Sequence, residues 1–281
     1  MKEFVTYGLI GYPVRHSFSP VVFNTFFDYY GENAAFITLQ IHKGEIPKLL
    51  DDYVPTLAMG GFTITMPHKE DIIPYLDELS DAARECGSVN VVSLRDGKRY
   101  GHTTDGLGNL RGFESVTGRK AAEQKVVIYG LGGAAKSVAQ AYRAAGADVT
   151  ILSRDPAKAE AVAQALGGMK GGDSNKLESY MADCTLFING SPLGMKGSPE
   201  FESFAFLDKL PKDAAVYDCV YNPRETNLLQ EAAKRGLVTV DGLKMLLMQM
   251  GVLFETLTGI TPDDKAMDIA MKKVSDILAG K

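Results

Sequence analysis

Lys125-Val126-Val127-Ile128-Tyr129-Gly130-Leu131-Gly132-Gly133-Ala134-Ala135 is an apolar, strand-like run that breaks directly into a glycine-rich loop. Beyond the loop, Ala135, Val138, Ala139 and Tyr142 fall on one helical face, Gly146 is placed to end the helix, and residues 149–152 form the next strand. Strand, loop, helix and strand make a βαβ unit, the context that the pattern G-x-G-x-x-[GA] needs to carry weight. Gly130 permits the tight turn, Gly132 lets backbone amides approach a pyrophosphate, and Ala135 is small enough for the helix to sit close on the sheet with its N-terminal dipole facing the anion. A plain structural glycine turn is the bland alternative, but the agreement of the flanking elements favours dinucleotide binding at Gly130, Gly132, Gly133 and Ala134.

Downstream, the runs 185–188, 215–220 and 237–240 are apolar enough to be strands buried on both faces, and they alternate with helical stretches such as 225–235. That predicts a doubly wound parallel sheet. Upstream, strands at 4–10, 35–39, 62–65 and 88–94 alternate with helices at 21–30 and 44–52 and a helical stretch opened by Pro67. Asp96-Gly97 reads as a hairpin turn before Tyr100, and a helix at 107–116 leads through polar residues 117–124 to the glycine-loop strand. The last forty residues are helical, at 243–257 and then in a helix with Thr261 as N-cap, Pro262 first and Asp263 and Asp264 in the first turn. The expected fold class is therefore α/β with two domains. An N-terminal α/β domain at 1–105, completed by C-terminal helices at about 243–281, accompanies a Rossmann domain at 106–242; the C-terminal helices are expected to pack back across the junction around a cleft.

With 281 residues, 45% hydrophobic and 23% charged, the composition is that of an ordinary globular chain and excludes disorder or a fibrous repeat. Thirty Lys and Arg against 35 Asp and Glu leave a net charge of −5, and no basic block is present, so nucleic acid is not an expected partner. Cys86, Cys184 and Cys219 lie far apart without zinc-type spacing and read as reduced core residues. His16, His68 and His102 flank polar segments but form no HxxxH pair, so no metal site is expected. The N-terminus lacks the apolar core of a secretory signal, and the stretch 243–257 is interrupted by Lys244, Gln249 and Glu255. A soluble cytoplasmic protein without a membrane partner is the expectation.

The strand after the glycine loop ends in Ser153-Arg154-Asp155-Pro156, where the adenosine ribose of a dinucleotide would lie. Arg154 suits the 2′-phosphate of NADP, whereas Asp155 aimed at the ribose would repel it. Asp155 before Pro156 also reads as the N-cap of the next helix, and NADP is the reading adopted, with NAD as the alternative. In the first domain, polar residues gather at strand ends: Ser17, Ser19, Thr65, Lys69, Asn90 and Asp105. Each has a bland explanation as a cap, strand residue, surface lysine or turn, and spacing alone does not make them a site.

Taken in order, however, these segments resemble the shikimate dehydrogenase family along almost the whole chain. Gly8-Leu9-Ile10-Gly11-Tyr12-Pro13-Val14-Arg15-His16-Ser17-Phe18-Ser19-Pro20 is similar to the family's opening substrate loop, and Gly61-Phe62-Thr63-Ile64-Thr65-Met66-Pro67-His68-Lys69 to its catalytic-lysine segment. Gly87-Ser88-Val89-Asn90 resembles the asparagine segment, and Thr103-Thr104-Asp105-Gly106 the aspartate segment. The glycine loop, Asn189-Gly190-Ser191-Pro192-Leu193-Gly194-Met195, Tyr221-Asn222-Pro223 and Gly242-Leu243-Lys244-Met245-Leu246-Leu247-Met248-Gln249 continue the match.

The resemblance implies that the first domain binds substrate, with Ser17 and Ser19 on its carboxylate and Thr65, Asn90, Asp105 and Gln249 on its ring hydroxyls. Tyr221 would line the cleft, Met195 and Gly242 would border the nicotinamide, and Lys69 with Asp105 would form the proton-relay pair, with no metal required. It implies an NADP-dependent oxidoreductase of aromatic amino acid and chorismate biosynthesis, reducing 3-dehydroshikimate reversibly to shikimate as a monomer or homodimer. Thr63, Phe23, Val91, Thr103 and Gly190 depart from the common pattern, where Asn, His, Thr, Asn and Ala stand. None is a presumed proton-transfer residue, but Thr63, Val91 and Thr103 flank residues that would touch the ring. The alternatives are a paralogue acting on quinate with NAD, and a non-catalytic nucleotide sensor, which would have no need of Lys69, Asn90 and Asp105.

Overall fold

The computed structural model describes residues 3–278, and the chain divides into one unit formed by Met1–Thr104 with Met250–Lys281 and a second formed by Asp105–Gln249. Residues 1–2 and 279–281, at the ends of the ranges expected for the first domain and the C-terminal helices, lie outside the described residues.

The first unit is built on β1 (Val5–Gly11), β2 (Ala34–Gln40), β3 (Met59–Ile64), β4 (Glu78–Leu79), β5 (Val91–Arg95) and β6 (Lys98–His102), in the order β2-β1-β3-β5-β6-β4. Strand β1 runs parallel to β2 and β3, while β5 is antiparallel to β3 and β6. The β5–β6 turn sits on Asp96 and Gly97, both at positive φ (51° and 73°), the conformation a two-residue hairpin demands. The helix expected at 44–52 is instead a run through Ile46–Lys48, the π-helical Leu49–Tyr53 and Val54–Thr56. Val54 N–H reaches back five residues to Leu49 O, and Pro55 has no N–H with which to restore the α ladder. No helix opens at Pro67 either. Pro74 interrupts that stretch, leaving turns and the short Ile73–Tyr75, and α2 (Asp81–Cys86) begins only where Ser80 Oγ accepts from Ala83 N.

Aromatic packing joins the two chain segments of this unit. Helix α1 (Ser19–Tyr30) presents Phe23, Phe26 and Phe27, all buried, to Phe254, whose ring centroid lies 5.7, 5.0 and 5.3 Å from theirs. On a separate cluster, Ile10, Phe62 and Ile64 pack with Ile46, Leu49 and Leu50. Phe23 is thus a core residue stacked on Phe36 at 4.2 Å, which accounts for the apolar residue at that position.

The second unit opens with α3 (Asp105–Thr117) and contains β7 (Lys125–Tyr129), α4 (Gly133–Ala144), β8 (Asp148–Ser153), α5 (Pro156–Ala165), β9 (Lys170–Asp173), β10 (Leu186–Asn189), β11 (Ala215–Asp218), α6 (Asn227–Lys234) and β12 (Val238–Val240). All its strands pair in parallel, in the order β12-β11-β10-β7-β8-β9. Numbered within the unit this is 3-2-1-4-5-6, the doubly wound arrangement whose chain reverses direction between its first and fourth strands. Every residue of β10 and β11 is buried, as apolar runs in a covered parallel sheet require. Strand β9 lacks any apolar alternation and is invisible to pattern reading.

Helix α7 (Gly242–Thr258) contains the division between the units, and α8 (Asp264–Leu278) follows. The N-cap of α8 is Asp263, whose Oδ1 accepts from Ala266 N at 2.8 Å, so the cap lies two residues beyond the expected Thr261. Among the described residues no helix is long and apolar enough to cross a membrane.

Because Phe254 supplies the ring against which three α1 phenylalanines pack, Phe254→Ala is expected to cost about 3–5 kcal/mol in urea unfolding. A loss below about 1 kcal/mol would contradict this placement.

Candidate active site

Strand register, not sequence proximity, assembles the polar residues of the first unit. Ile10 pairs with Ile64, Thr63 with Val91, and Val91 with His102, so the ends of β1, β3 and β6 and the start of β5 lie along one edge of the sheet. Backbone bonds extend the pairing past the strands: Thr65 N to Ile10 O at 2.9 Å, Ile64 N to Asn90 O at 2.7 Å, and Asn90 N to His102 O at 2.9 Å. Ser17 and Ser19 follow β1, Thr65 and Lys69 follow β3, Asn90 precedes β5 and Thr104 follows β6.

Each of these residues is held from behind. Ser17 Oγ donates to Ser19 Oγ at 3.0 Å and accepts from Ser19 N at 3.2 Å, which joins the two hydroxyls at the start of α1. Lys69, half-buried, has its carbonyl fixed by Val89 N at 2.8 Å, and the preceding His68 is fully buried with Nε2 2.6 Å from Ile41 O. Asn90 grips Thr104 twice: Nδ2 donates to Thr104 Oγ1 at 3.0 Å and Oδ1 accepts from Thr104 N at 2.9 Å. Lys69, Val89, Asn90 and Thr104 therefore form one connected chain of contacts, and Asp105 lies a single peptide bond beyond it. The hydroxyl of Thr63 bonds the Gly8 carbonyl at 3.3 Å inside the sheet.

In the second unit Asp105 is the buried first residue of α3, and its Oδ1 accepts from Gln249 Nε2. Gly106 N donates to Ser137 Oγ at 2.9 Å. Gly108 lets α3 and α7 approach, since a Cβ there would stand 2.6 Å from Gln249 Cβ and 3.0 Å from its backbone nitrogen. Asp105 and Gln249, 144 positions apart, are thus brought together by helix packing that spacing could not reveal.

At the reversal between β7 and β10, Gly130 has φ +119°, which a side chain rarely adopts, and a Cβ there would lie 3.1 Å from the Gly190 carbonyl. The loops after β7 and β10 therefore abut at the edge where doubly wound sheets take their ligands. A Cβ on Gly132 would meet nothing within 4 Å, and α4 begins at Gly133 without a side-chain cap. Gly130, Gly132, Gly133 and Ala134 thus fit an anionic ligand such as a pyrophosphate. After β8, Arg154 is exposed; Asp155 Oδ1 accepts from Lys158 N at 3.1 Å, capping α5, and Ser153 Oγ accepts from Asp155 N at 3.2 Å. Met195 and Tyr221 are exposed on the loops after β10 and β11, and Gly242, at the start of α7, packs against the Cys219 and Val220 carbonyls. Burial holds the Cys219 thiol well above its ordinary value. Among the described residues no group of three or more His, Cys, Asp or Glu could hold a metal ion.

Asn189, which heads one of the family-like segments, belongs to a buried set behind these loops whose other members, Asp218 and Thr226, sequence reading passed over. The available signal was a carboxylate closing an otherwise apolar strand, Ala215–Asp218.

The chain was compared with known proteins. The profile of the shikimate dehydrogenase substrate binding domain matches residues 9–92. A shikimate dehydrogenase (NADP(+)) from Methanocaldococcus jannaschii is 37% identical over 270 residues, covering 94% of this chain and 95% of its own. A crystal structure of a shikimate dehydrogenase in complex with NADP+ superposes with a TM-score of 0.87 at 34% identity, covering 96% of this chain and 95% of that one. A quinate dehydrogenase from Corynebacterium glutamicum in complex with NAD gives 0.85 at 29% identity, covering 96% and 100%. With its ordered strand-end residues, its doubly wound sheet and a relative 37% identical over 94% of its length, this chain belongs to the shikimate dehydrogenase family.

Proposed function

We propose that this protein is an NADP-dependent oxidoreductase that reversibly reduces 3-dehydroshikimate to shikimate. The observation that carries the reading is the single sheet edge bearing Ser17, Ser19, Thr65, Lys69 and Asn90, with Asp105 one peptide bond beyond the Thr104 that Asn90 grips. Such an edge offers hydroxyls for a carboxylate, neutral donors and acceptors for ring hydroxyls, and an ammonium for a proton. It suits a small hydroxylated acid.

In this reading the paired Ser17 and Ser19 hydroxyls bind the substrate carboxylate, and Thr65, Asn90, Asp105 and Gln249 orient the ring. Lys69 and Asp105 handle the proton at the reacting oxygen: Lys69 donates it as the alkoxide develops in reduction and removes it in oxidation, while the Asp105 carboxylate holds the carbinol hydroxyl. Gln249, by donating to Asp105, keeps the carboxylate aimed. NADP would be held by the Gly130–Gly133 loop, Ala134, Ser153 and Arg154, with Met195 and Gly242 beside the nicotinamide and Tyr221 lining the substrate cleft, and its reduced form when bound supplies the hydride. The engagement of Asp155 as a helix cap supports NADP over NAD, because a carboxylate already bonded to Lys158 N has less reason to face the ribose. A cytoplasmic place in aromatic amino acid biosynthesis follows from this activity.

The test is steady-state turnover in a matrix of shikimate or quinate against NADP+ or NAD+. Shikimate with NADP+ is expected to give the highest kcat/KM. Dominance of quinate or NAD+ would replace this reading with the paralogue, and silence in all four combinations with a non-catalytic nucleotide sensor. Arg154→Ala is expected to raise the KM for NADP+ by about 10–100-fold, the loss of a charge-assisted contact, while changing that for NAD+ less than about twofold. An equal effect on both coenzymes would remove Arg154 from the 2′-phosphate.

A further inference from the structure

Strands β10 and β11 end on side chains that water does not reach: Asn189, Asp218 and Thr226 are each 0% exposed. Asn189 Nδ2 donates to Asp218 Oδ1 at 2.9 Å and to Leu193 O at 3.0 Å. Its Oδ1 accepts from Ser191 N at 3.1 Å and Ser191 Oγ at 2.7 Å, so the loop 189–195 is bonded on both sides of its bend. Asp218 Oδ1 also accepts from Val220 N at 3.0 Å, and Oδ2 accepts from Thr226 Oγ1 at 2.6 Å. Thr226 Oγ1 in turn accepts from Leu229 N at 3.4 Å, capping α6. One carboxylate thus fastens the loop bearing Met195, the loop bearing Tyr221 and the start of a helix.

This is an expensive way to bury a residue if stability were its purpose. The three donors on Asp218 are neutral, and a buried carboxylate without a cation costs free energy that an amide would not. What a carboxylate offers is two oxygens that accept from three segments at once, so the geometry of both loops depends on its charge. We propose that Asp218 is a positioning residue for the coenzyme: its ionised carboxylate, acting through Asn189 and Thr226, holds the Met195 and Tyr221 loops in the arrangement that receives the nicotinamide half of NADP, and its protonation loosens them. This rests on the function proposed above.

Burial pushes the Asp218 carboxyl up to about 6, against the opposing bonds from Thr226, Val220 and Asn189. The titratable groups that face it are Glu200, whose charge adds to the rise, and the neighbouring Cys219 thiol, which burial keeps protonated. A carboxyl raised in the folded chain contributes stability that is fully present below its unfolded value and is lost as pH rises through about 6, so the ionised form is a net burden on the fold. Neutralising Asp218 therefore separates positioning from stability. An asparagine can keep the Oδ1 bonds to Asn189 and Val220 but must donate toward Thr226, as the protonated acid would.

The experiment measures amide hydrogen exchange of the ligand-free protein, corrected for intrinsic rates, together with the NADPH dissociation constant by fluorescence and the urea midpoint, for Asp218→Asn, Thr226→Val and Thr226→Ser. At pH 7.5 Asp218→Asn is expected to exchange at least about threefold faster within 189–195 and 219–226, matching the unsubstituted protein at pH 5. It should bind NADPH about fivefold more weakly, the effect of one reversed hydrogen bond, with no lower urea midpoint. Thr226→Val should reproduce the loosening and weaker binding, and Thr226→Ser should restore both. Unchanged exchange and NADPH affinity in Asp218→Asn, or a lowered midpoint that accompanies their loss, would overturn the proposal. NADPH binding by an unsubstituted protein that does not oxidise shikimate would overturn the function reading and leave this one standing; absence of NADPH binding would overturn both.

Discussion

The grip of Asn90 on Thr104 is the constraint on which the rest of the arrangement depends. Two hydrogen bonds, at 3.0 and 2.9 Å, lock the residue before β5 to the second residue after β6, and the next peptide begins α3 with Asp105. The backbone of Asn90 is simultaneously bonded to Ile64 and His102, and that of its neighbour Val89 to Lys69. Lys69 and Thr104, 35 positions apart in the chain, are therefore referenced to one buried amide segment rather than to two independent loops. Buried and doubly bonded, such an amide has little freedom to drift, which is what the role proposed for Lys69 asks of its support.

The second unit applies the same economy to the coenzyme. Reversal of strand order between β7 and β10 opens the edge of the sheet, the positive φ of Gly130 turns the chain there, and a side chain on Gly132 would meet open space. Behind that edge a buried carboxylate, not a packed side chain, ties the neighbouring loops. The two devices differ in kind: Asn90 is neutral and insensitive to pH, whereas Asp218 carries a charge that its surroundings resist.

Much of this was legible in the sequence, for reasons that can be stated residue by residue. The βαβ reading of residues 125–152 succeeded because strand period, glycines and helical face agree there, and the Asp96-Gly97 turn was readable because both positions need positive φ. Where two signals compete, reading failed. Pro67 resembles a helix start, yet Pro74 prevents a helix from running, and Thr261-Pro262 resembles a cap, yet Asp263 supplies it. Strand β9, Lys170–Asp173, carries two glycines and forms because β8 offers an edge, which no local pattern records. Among the candidate site residues, the strand-end positions were visible as polar residues and as a family resemblance, but the bond between Asp105 and Gln249 depends on helix packing around Gly108. The Asn189, Asp218 and Thr226 set escaped notice because each member has an ordinary local reading, and their connection exists only across adjacent parallel strands.

The proposed function has Lys69 and Asp105 act as one proton-handling unit. A double-mutant cycle in kcat with Lys69→Ala, Asp105→Asn and the pair tests it most directly. The account predicts single losses on the order of 10²–10⁴ and a double loss within about tenfold of the larger single one, because either substitution already disables the unit. Losses that multiply in the double variant would show two independent contributions and contradict the account.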